Sequence, residues 1–243
     1  MAAREEERGK AKRKKTMGKE MDGMWPRIKA KKDLQINRLK GTQLFTEAQV
    51  PNFRTAVEAK AFVDAEEAIG FAHQRSQGPA KGEAYRDNDR ISVSDPVLAE
   101  TIWESGLKSM FDDIELRGKI AVGLNPNIRF YRYTVGQRFG RHIDESVNLG
   151  EGCRMQYTLP IYLSGDLGSK TRHGLDKKQD SFTHSPVGGE TVFYDESRGI
   201  VAEVAPVVGM ALLHIHGDRC MLHEARAVTK NVKHVLRSDV VFA

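Results

Sequence analysis

His142 and Asp144 lie two residues apart in YRYTVGQRFGRHIDES, Tyr131 to Ser146, a run that reads as a strand. On an extended strand, side chains two positions apart share a face. The pair therefore offers an imidazole nitrogen and a carboxylate oxygen to one point in space. That is two thirds of the two-histidine, one-carboxylate set that binds non-haem iron. The spacing alone is unspecific, because His-x-Asp is common on polar surfaces, so a second histidine from a distant strand is required. Three compete in the C-terminal part: His214, His216 and His223. Periodicity does not choose among them. His214 and His216 share a face in LLHIHG, which leaves open an HxH metal pair as well as packed or hydrogen-bonded histidines.

The elements that must carry these residues follow from composition and pattern. A chain of 243 residues, 40% of them hydrophobic, suffices for one large domain with a sizeable core. The formal charge of +5 is uneven, since KAKRKK, Lys10 to Lys15, carries five positive charges. A basic N-terminal arm thus accounts for most of the excess, and the folded body is close to balanced. Residues 1–40 mix Lys, Arg, Glu and Met without period and are expected to stay disordered. Lys12 to Lys15 fits a nuclear import signal, a nucleic-acid contact or a solvated tail. Two cysteines, Cys153 and Cys220, are too few for a disulfide framework. The N-terminus lacks the apolar stretch of a secretory signal, and its acids Glu5 to Glu7 disfavour a transit peptide. With no stretch of about 18 apolar residues, the expected setting is soluble, reducing, cytoplasmic or nuclear.

From Thr42 the chain looks extended, and Thr55 with Glu58 forms a capping-box signature. A helix follows to Gly70, with Val57, Ala61, Phe62, Ala65, Ala68 and Ile69 at helical spacing. A polar loop around Tyr85 to Arg90 leads to Asp95 and Pro96, a cap and first-turn pair for a second helix running to about Phe111. Its expected buried face is Leu98, Ile102, Trp103, Leu107, Met110 and Phe111. Beyond Lys119 the pattern turns to short strands: 119–123, 128–134, 138–144, 154–163, 190–195, 199–204, 210–216, 221–228 and 232–242. Helices followed by many strands predict a mainly β, α+β fold with helices against one β-sandwich or barrel. The charged, Gly- and Ser-rich stretch 165–189 reads as a mobile loop near the site. This divides the chain into the arm 1–40, a helical support region 41–117 and a β core 118–243.

Taken together, FYRYTVGQRFGRHIDES, TLPIYLSG, GGETVFYDES, GMALLHIHGDRCMLHEARAV and KHVLRSDVVF resemble, in order, the elements of the prolyl 4-hydroxylase-like family of iron(II)/2-oxoglutarate dioxygenases. The resemblance implies a double-stranded β-helix (jelly roll) core. It also implies that His142, Asp144 and His223 ligate Fe(II), with His214 and His216 as neighbours. Lys233 falls where the family pattern places the basic partner of the distal 2-oxoglutarate carboxylate. A lysine there supplies a point charge with three donors for a dianion. Arg237 shares its strand face and is a second anion partner, or else pairs with Asp239 or reaches substrate. Tyr133, Tyr162 and Thr191 stand where hydroxyls contact the cosubstrate in this family, though strands favour such residues anyway.

The implied reaction consumes O2 and 2-oxoglutarate, yields succinate and CO2, and hydroxylates an unactivated C–H bond, with ascorbate as reductant. A carboxylate at Asp144 favours hydroxylation over the halogenation performed by relatives that lack it. The front end, basic and without a secretory signal, turns the expectation from lumenal collagen to a prolyl or other residue of an intracellular protein. Two alternatives remain: nucleic-acid demethylation, for which the basic arm is the supporting feature and base flipping the requirement, and a non-catalytic metal-binding β-barrel module.

Overall fold

The computed structural model describes residues 24–39, 47–76, 84–167 and 185–243. Its main elements are β1 (Glu47–Val50), α1 (Ala56–Ile69), β2 (Ala72–Arg75), β3 (Arg86–Ser94), α2 (Pro96–Ile102), β4 (Lys119–Leu124), β5 (Asn127–Tyr133) and β6 (Arg138–His142). There follow β7 (Cys153–Tyr162), β8 (Thr191–Tyr194), β9 (Ile200–Val204), β10 (Ala211–Ile215), β11 (Leu222–Ala225) and β12 (Lys233–Phe242). They form one curled antiparallel sheet in the order β1-β10-β7-β12-β5-β3-β6-β11-β8-β9. This is the jelly-roll class that the resemblance implies, within the sandwich or barrel that the strand spacing predicts, and the strands expected beyond Lys119 lie where they were placed to within a few residues.

The long strand β3 joins the two layers, because its C-terminal part pairs with β5 (Ile91 opposite Phe130) and its first residues pair with β6 (Arg86 opposite Phe139). Tyr85 to Arg90, expected as a polar loop, is therefore largely strand. Its charged residues are tolerated there because partners come from far along the chain. The Arg132 guanidinium donates to Asp89 at 2.9 Å, and the His73 ring nitrogen lies 2.7 Å from the same carboxylate.

Helix α1 opens on the expected capping box: Glu58 N–H donates to Thr55 Oγ1 (3.1 Å) and Thr55 N–H to the Glu58 carboxylate (2.8 Å). Its buried stripe, however, is Glu58, Ala59, Phe62 and Glu66, while Val57 is 77% exposed. The expected stripe is out of phase because a charged residue faces inward. Glu66 is fully buried against His234 at 2.6 Å, and burial pushes its carboxyl up to about 7. Helix α2 begins at Asp95, whose carboxylate accepts from Leu98 N–H, and continues irregularly to Met110. Five of the six residues expected on its inner face are buried, and Met110 is partly so.

Within residues 24–39, which composition assigns to the disordered arm, several apolar side chains pack against the core although most of the segment is exposed. Trp25 stacks on Phe130 with centroids 4.8 Å apart and donates from Nε1 to Asp95, and Ile28 and Leu34 join the core. A few apolar residues suffice to dock a segment whose average composition is polar. The basic run Lys10 to Lys15 lies outside the described residues, as does 168–184, most of the stretch expected to be a mobile loop. Among the described residues no helix is long and apolar enough to cross a membrane.

Candidate metal and cosubstrate site

The site forms where β6 meets β11. His142 and His223 stand opposite each other in that strand pair, with ring centroids 4.2 Å apart. Asp144 lies just past the end of β6, so the strand stops two residues earlier than expected. The carboxylate still turns to the same point. His142 Nε2 is 3.6 Å from Asp144 Oδ1, and His223 Nε2 is 3.8 Å from Asp144 Oδ2. One donor atom from each of the three falls within 4.8 Å of the others, close enough to share one cation.

The outer nitrogens fix how the rings face. His142 Nδ1–H donates to the Gly140 carbonyl and His223 Nδ1–H to the Met221 carbonyl, both at 2.9 Å. The proton is thereby placed on Nδ1, and each Nε2 lone pair is aimed at the site, the usual support of a metal-binding histidine. Burial, with the neighbouring His223, drives the His142 ring down to about 3, and burial likewise lowers His223. Asp144 is nine-tenths buried, which works against its charge. Arg237 and the imidazoles overcome this and hold the carboxyl well below the ordinary range. Two neutral imidazoles and one carboxylate are the protonation states a divalent cation requires.

Two cavities meet at this trio. The inner chamber, about 70 Å³, is lined by all the other expected site residues: Tyr133, Tyr162, Thr191, Lys233 and Arg237. Lys233 is 2% exposed, and its ammonium donates to the Gly189 carbonyl (2.5 Å) between the rings of Tyr133 and Tyr162. Among the described contacts no carboxylate pairs with it, and burial lowers its pKa to about 8. A displacement of that size sets about 3 kcal/mol against the charged form. That is the order of what a charge-assisted hydrogen bond from an incoming carboxylate returns. Gly189 makes room for the lysine: its φ is +73° and a Cβ there would lie 2.9 Å from Lys233 Cδ. The Tyr162 hydroxyl and Thr191 Oγ1 share a hydrogen bond at 2.8 Å, and burial pushes the Tyr162 phenol up to about 12. The outer groove, about 750 Å³, shares His142 and Arg237 with the chamber and includes Asp144, Arg75, Arg86, Arg129 and Glu145.

Sequence reasoning passed over Thr158 and left His214 and His216 as neighbours. The Thr158 hydroxyl donates to Asp144 Oδ2 (2.7 Å), lies 2.7 Å from His216 Nε2 and accepts from Arg237 (3.1 Å). It stands in TLPIYLSG, and its place one strand over from the carboxylate is visible only in three dimensions. His214 lines the chamber beside His223 with centroids 4.6 Å apart, and its buried Nδ1 has no hydrogen-bond partner. Cys220, buried, accepts from the Asp144 backbone N–H at 3.3 Å.

No protein-family model matches the sequence, and no curated protein matches it. Solved structures do. A viral collagen prolyl hydroxylase of Paramecium Bursaria Chlorella virus-1, solved as its 2OG complex, aligns with a TM-score of 0.51 at 15% identity, over 81% of this chain and 96% of that one. A prolyl hydroxylase of Trichoplax adhaerens, solved with a hypoxia inducible factor oxygen degradation domain peptide fragment, aligns at 0.54 and 15%, over 80% and 82% of the two chains. The chain thus has the fold of the prolyl hydroxylases.

Proposed function

We propose that this protein is an iron(II)- and 2-oxoglutarate-dependent dioxygenase that hydroxylates a prolyl or other residue of a protein substrate. The observation that carries the reading is the pairing of a complete two-histidine, one-carboxylate set with Lys233, a buried ammonium that donates to a backbone carbonyl and lines the adjoining chamber. The metal set fits Fe(II) by donor type, and the lysine fits the far carboxylate of a small dianion. His142, Asp144 and His223 would hold the metal.

When bound, iron(II) with 2-oxoglutarate and O2 supplies the oxidising power, and the keto acid is split to succinate and CO2 as the substrate gains hydroxyl. The chain's own residues bind, orient and shield. Lys233 takes the distal carboxylate, and the linked Tyr162 and Thr191 hydroxyls offer a donor beside it. The rings of Tyr133 and Tyr162 flank the ammonium and keep water from it, which strengthens its pull on an anion. Thr158 pins Asp144 through Oδ2, and the Gly140 and Met221 carbonyls fix the imidazole tautomers. The groove in front of Asp144 leaves space for a polypeptide. The Trichoplax protein of the same fold, solved with a peptide, supports a protein substrate.

The test is mass spectrometry of a cell extract incubated with the protein, iron(II), ascorbate and 2-oxoglutarate, against an Asp144→Ala control. A gain of one oxygen on a defined residue, absent from the control, is expected. Formaldehyde release from methylated nucleic acid, with no such gain on protein, would replace this reading by demethylation. No 2-oxoglutarate consumption with any candidate would leave a non-catalytic module.

A further inference from the structure

Resting on that reading of the site, we infer that Arg237 couples metal occupancy to cosubstrate occupancy: its guanidinium neutralises Asp144 in the metal-free protein and passes to a cosubstrate carboxylate when a dication takes Asp144. Among the described residues the guanidinium is the cation placed to do both, because Arg237 lines the inner chamber and the outer groove alike. One nitrogen, Nη2, lies 3.2 Å from Asp144 Oδ2, 3.1 Å from Thr158 Oγ1 and 3.4 Å from Asp239 Oδ1. Both carboxylates are deeply buried, with Asp239 fully so and also bound by Arg129. Arg237 Nε is buried and has no hydrogen-bond partner among the described residues. The side chain therefore keeps an unused donor beside the chamber while its far end is committed to Asp144.

Charge accounting gives the direction of the coupling. In the ion-pair network that holds Asp144 the fixed charges are two carboxylates, Asp144 and Asp239, and two guanidiniums, Arg129 and Arg237. The histidines are neutral. A dication entering alone adds two positive charges beside Arg237 and draws away the carboxylate that satisfies it. A guanidinium cannot respond by losing a proton, so the repulsion stands until an anion arrives. A dicarboxylate arriving with the metal restores the balance and gives Arg237 a new acceptor. Metal alone is thus bound weakly and metal with dianion tightly, and by linkage each strengthens the other equally.

Mn(II) is the probe, with its free concentration read by electron paramagnetic resonance and no turnover needed. The wild-type protein is expected to bind Mn(II) about 30-fold or more tightly with saturating 2-oxoglutarate, which corresponds to a coupling of about 2 kcal/mol. Arg237→Gln keeps a donor for Asp144 but no charge, and should bind Mn(II) alone about tenfold more tightly with the coupling reduced by a similar factor. Arg237→Lys should stay near wild type. Glutarate has the same carbon chain without the keto oxygen, so it separates charge from chelation in the unaltered protein. It should tighten Mn(II) about fivefold in wild type and not in Arg237→Gln. Unchanged or weaker Mn(II) binding by Arg237→Gln, equal tightening in Arg237→Lys, or no glutarate effect in wild type would each overturn the inference while leaving the metal site intact. Should the Gln variant fail to fold, the glutarate result decides. Wild-type protein that binds no Mn(II) even with 2-oxoglutarate, or binds it as well after Asp144→Ala, would remove both the inference and the dioxygenase reading.

Discussion

The two cavities that meet at His142 and Arg237 are opposites. The inner chamber, about 70 Å³, is walled by tyrosine rings and holds one buried ammonium. The outer groove, about 750 Å³, carries charges of both signs on side chains that reach solvent, Arg75, Arg86 and Glu145 among them. On the proposed reading, low dielectric around the buried Lys233 ammonium suits the chamber to a small anion, because a misplaced polar group there goes unpaired. In the groove, water competes for every contact, so recognition there has to be spread over many weak ones. On the same reading, one side of the His142–Asp144–His223 trio takes a fixed small reactant and the other a larger, variable one.

Variants can be chosen to strike the shared wall, the chamber or the groove. On the proposed reading, His142→Ala at the shared wall or Asp144→Ala beside it removes a metal ligand, and succinate formation is expected to fall to background, about 100-fold or more below wild type. Lys233→Met acts on the chamber alone. Losing a charge-assisted contact of about 2 kcal/mol should raise the 2-oxoglutarate requirement about 30-fold while metal affinity is held. Gly189→Ala presses the same lysine. With a left-handed backbone costing about 1–2 kcal/mol and a Cβ 2.9 Å from Lys233 Cδ, it should raise that requirement about tenfold.

The pH dependence has a definite sign. Lys233 is lowered to about 8, so its ammonium is present below that value and lost above it. The KM for 2-oxoglutarate should therefore climb as pH rises through 8, by up to about tenfold per pH unit, whereas Lys233→Arg should show a flat profile. Arg86→Glu, at the exposed rim over Phe139, should change substrate-dependent turnover only a few-fold, about 1 kcal/mol, and leave 2-oxoglutarate consumption without substrate untouched. An equal effect on both would erase the distinction between the two cavities.

The same contrast explains how much could be read from the sequence. Strands buried on both faces, such as Ala211–Ile215, announce themselves by mostly apolar residues, and the spacing of His142 and Asp144 survives the early end of their strand. The choice among three histidines could not be made from pattern, since His214 and His223 converge on one chamber and differ only in which lies across from His142. The phase of Ala56–Ile69 was misread because hydropathy places Val57 inside and Glu66 outside. The Glu66–His234 pair, 168 residues apart, reverses both. Tyr85–Arg90 reads as a loop for the same reason, its Asp89 being answered by Arg132 and His73. Thr158 carried no signal at all, because a threonine in a strand is unremarkable until its neighbours are known.

The central place of β12 has a consequence for how the protein comes together. This strand carries both Lys233 and Arg237 and is zipped to β7, β5 and β4, whose residues lie between about 70 and 120 positions upstream. Closing such long loops is slow, since their entropy is lost before any contact repays it. The two cations accordingly reach their places only when the whole sheet has closed, and no shorter fragment of the domain can present them together. On the proposed reading, occupancy of the site would act as a clasp on the finished fold, since a metal and dianion that bind only the closed sheet stabilise it against opening.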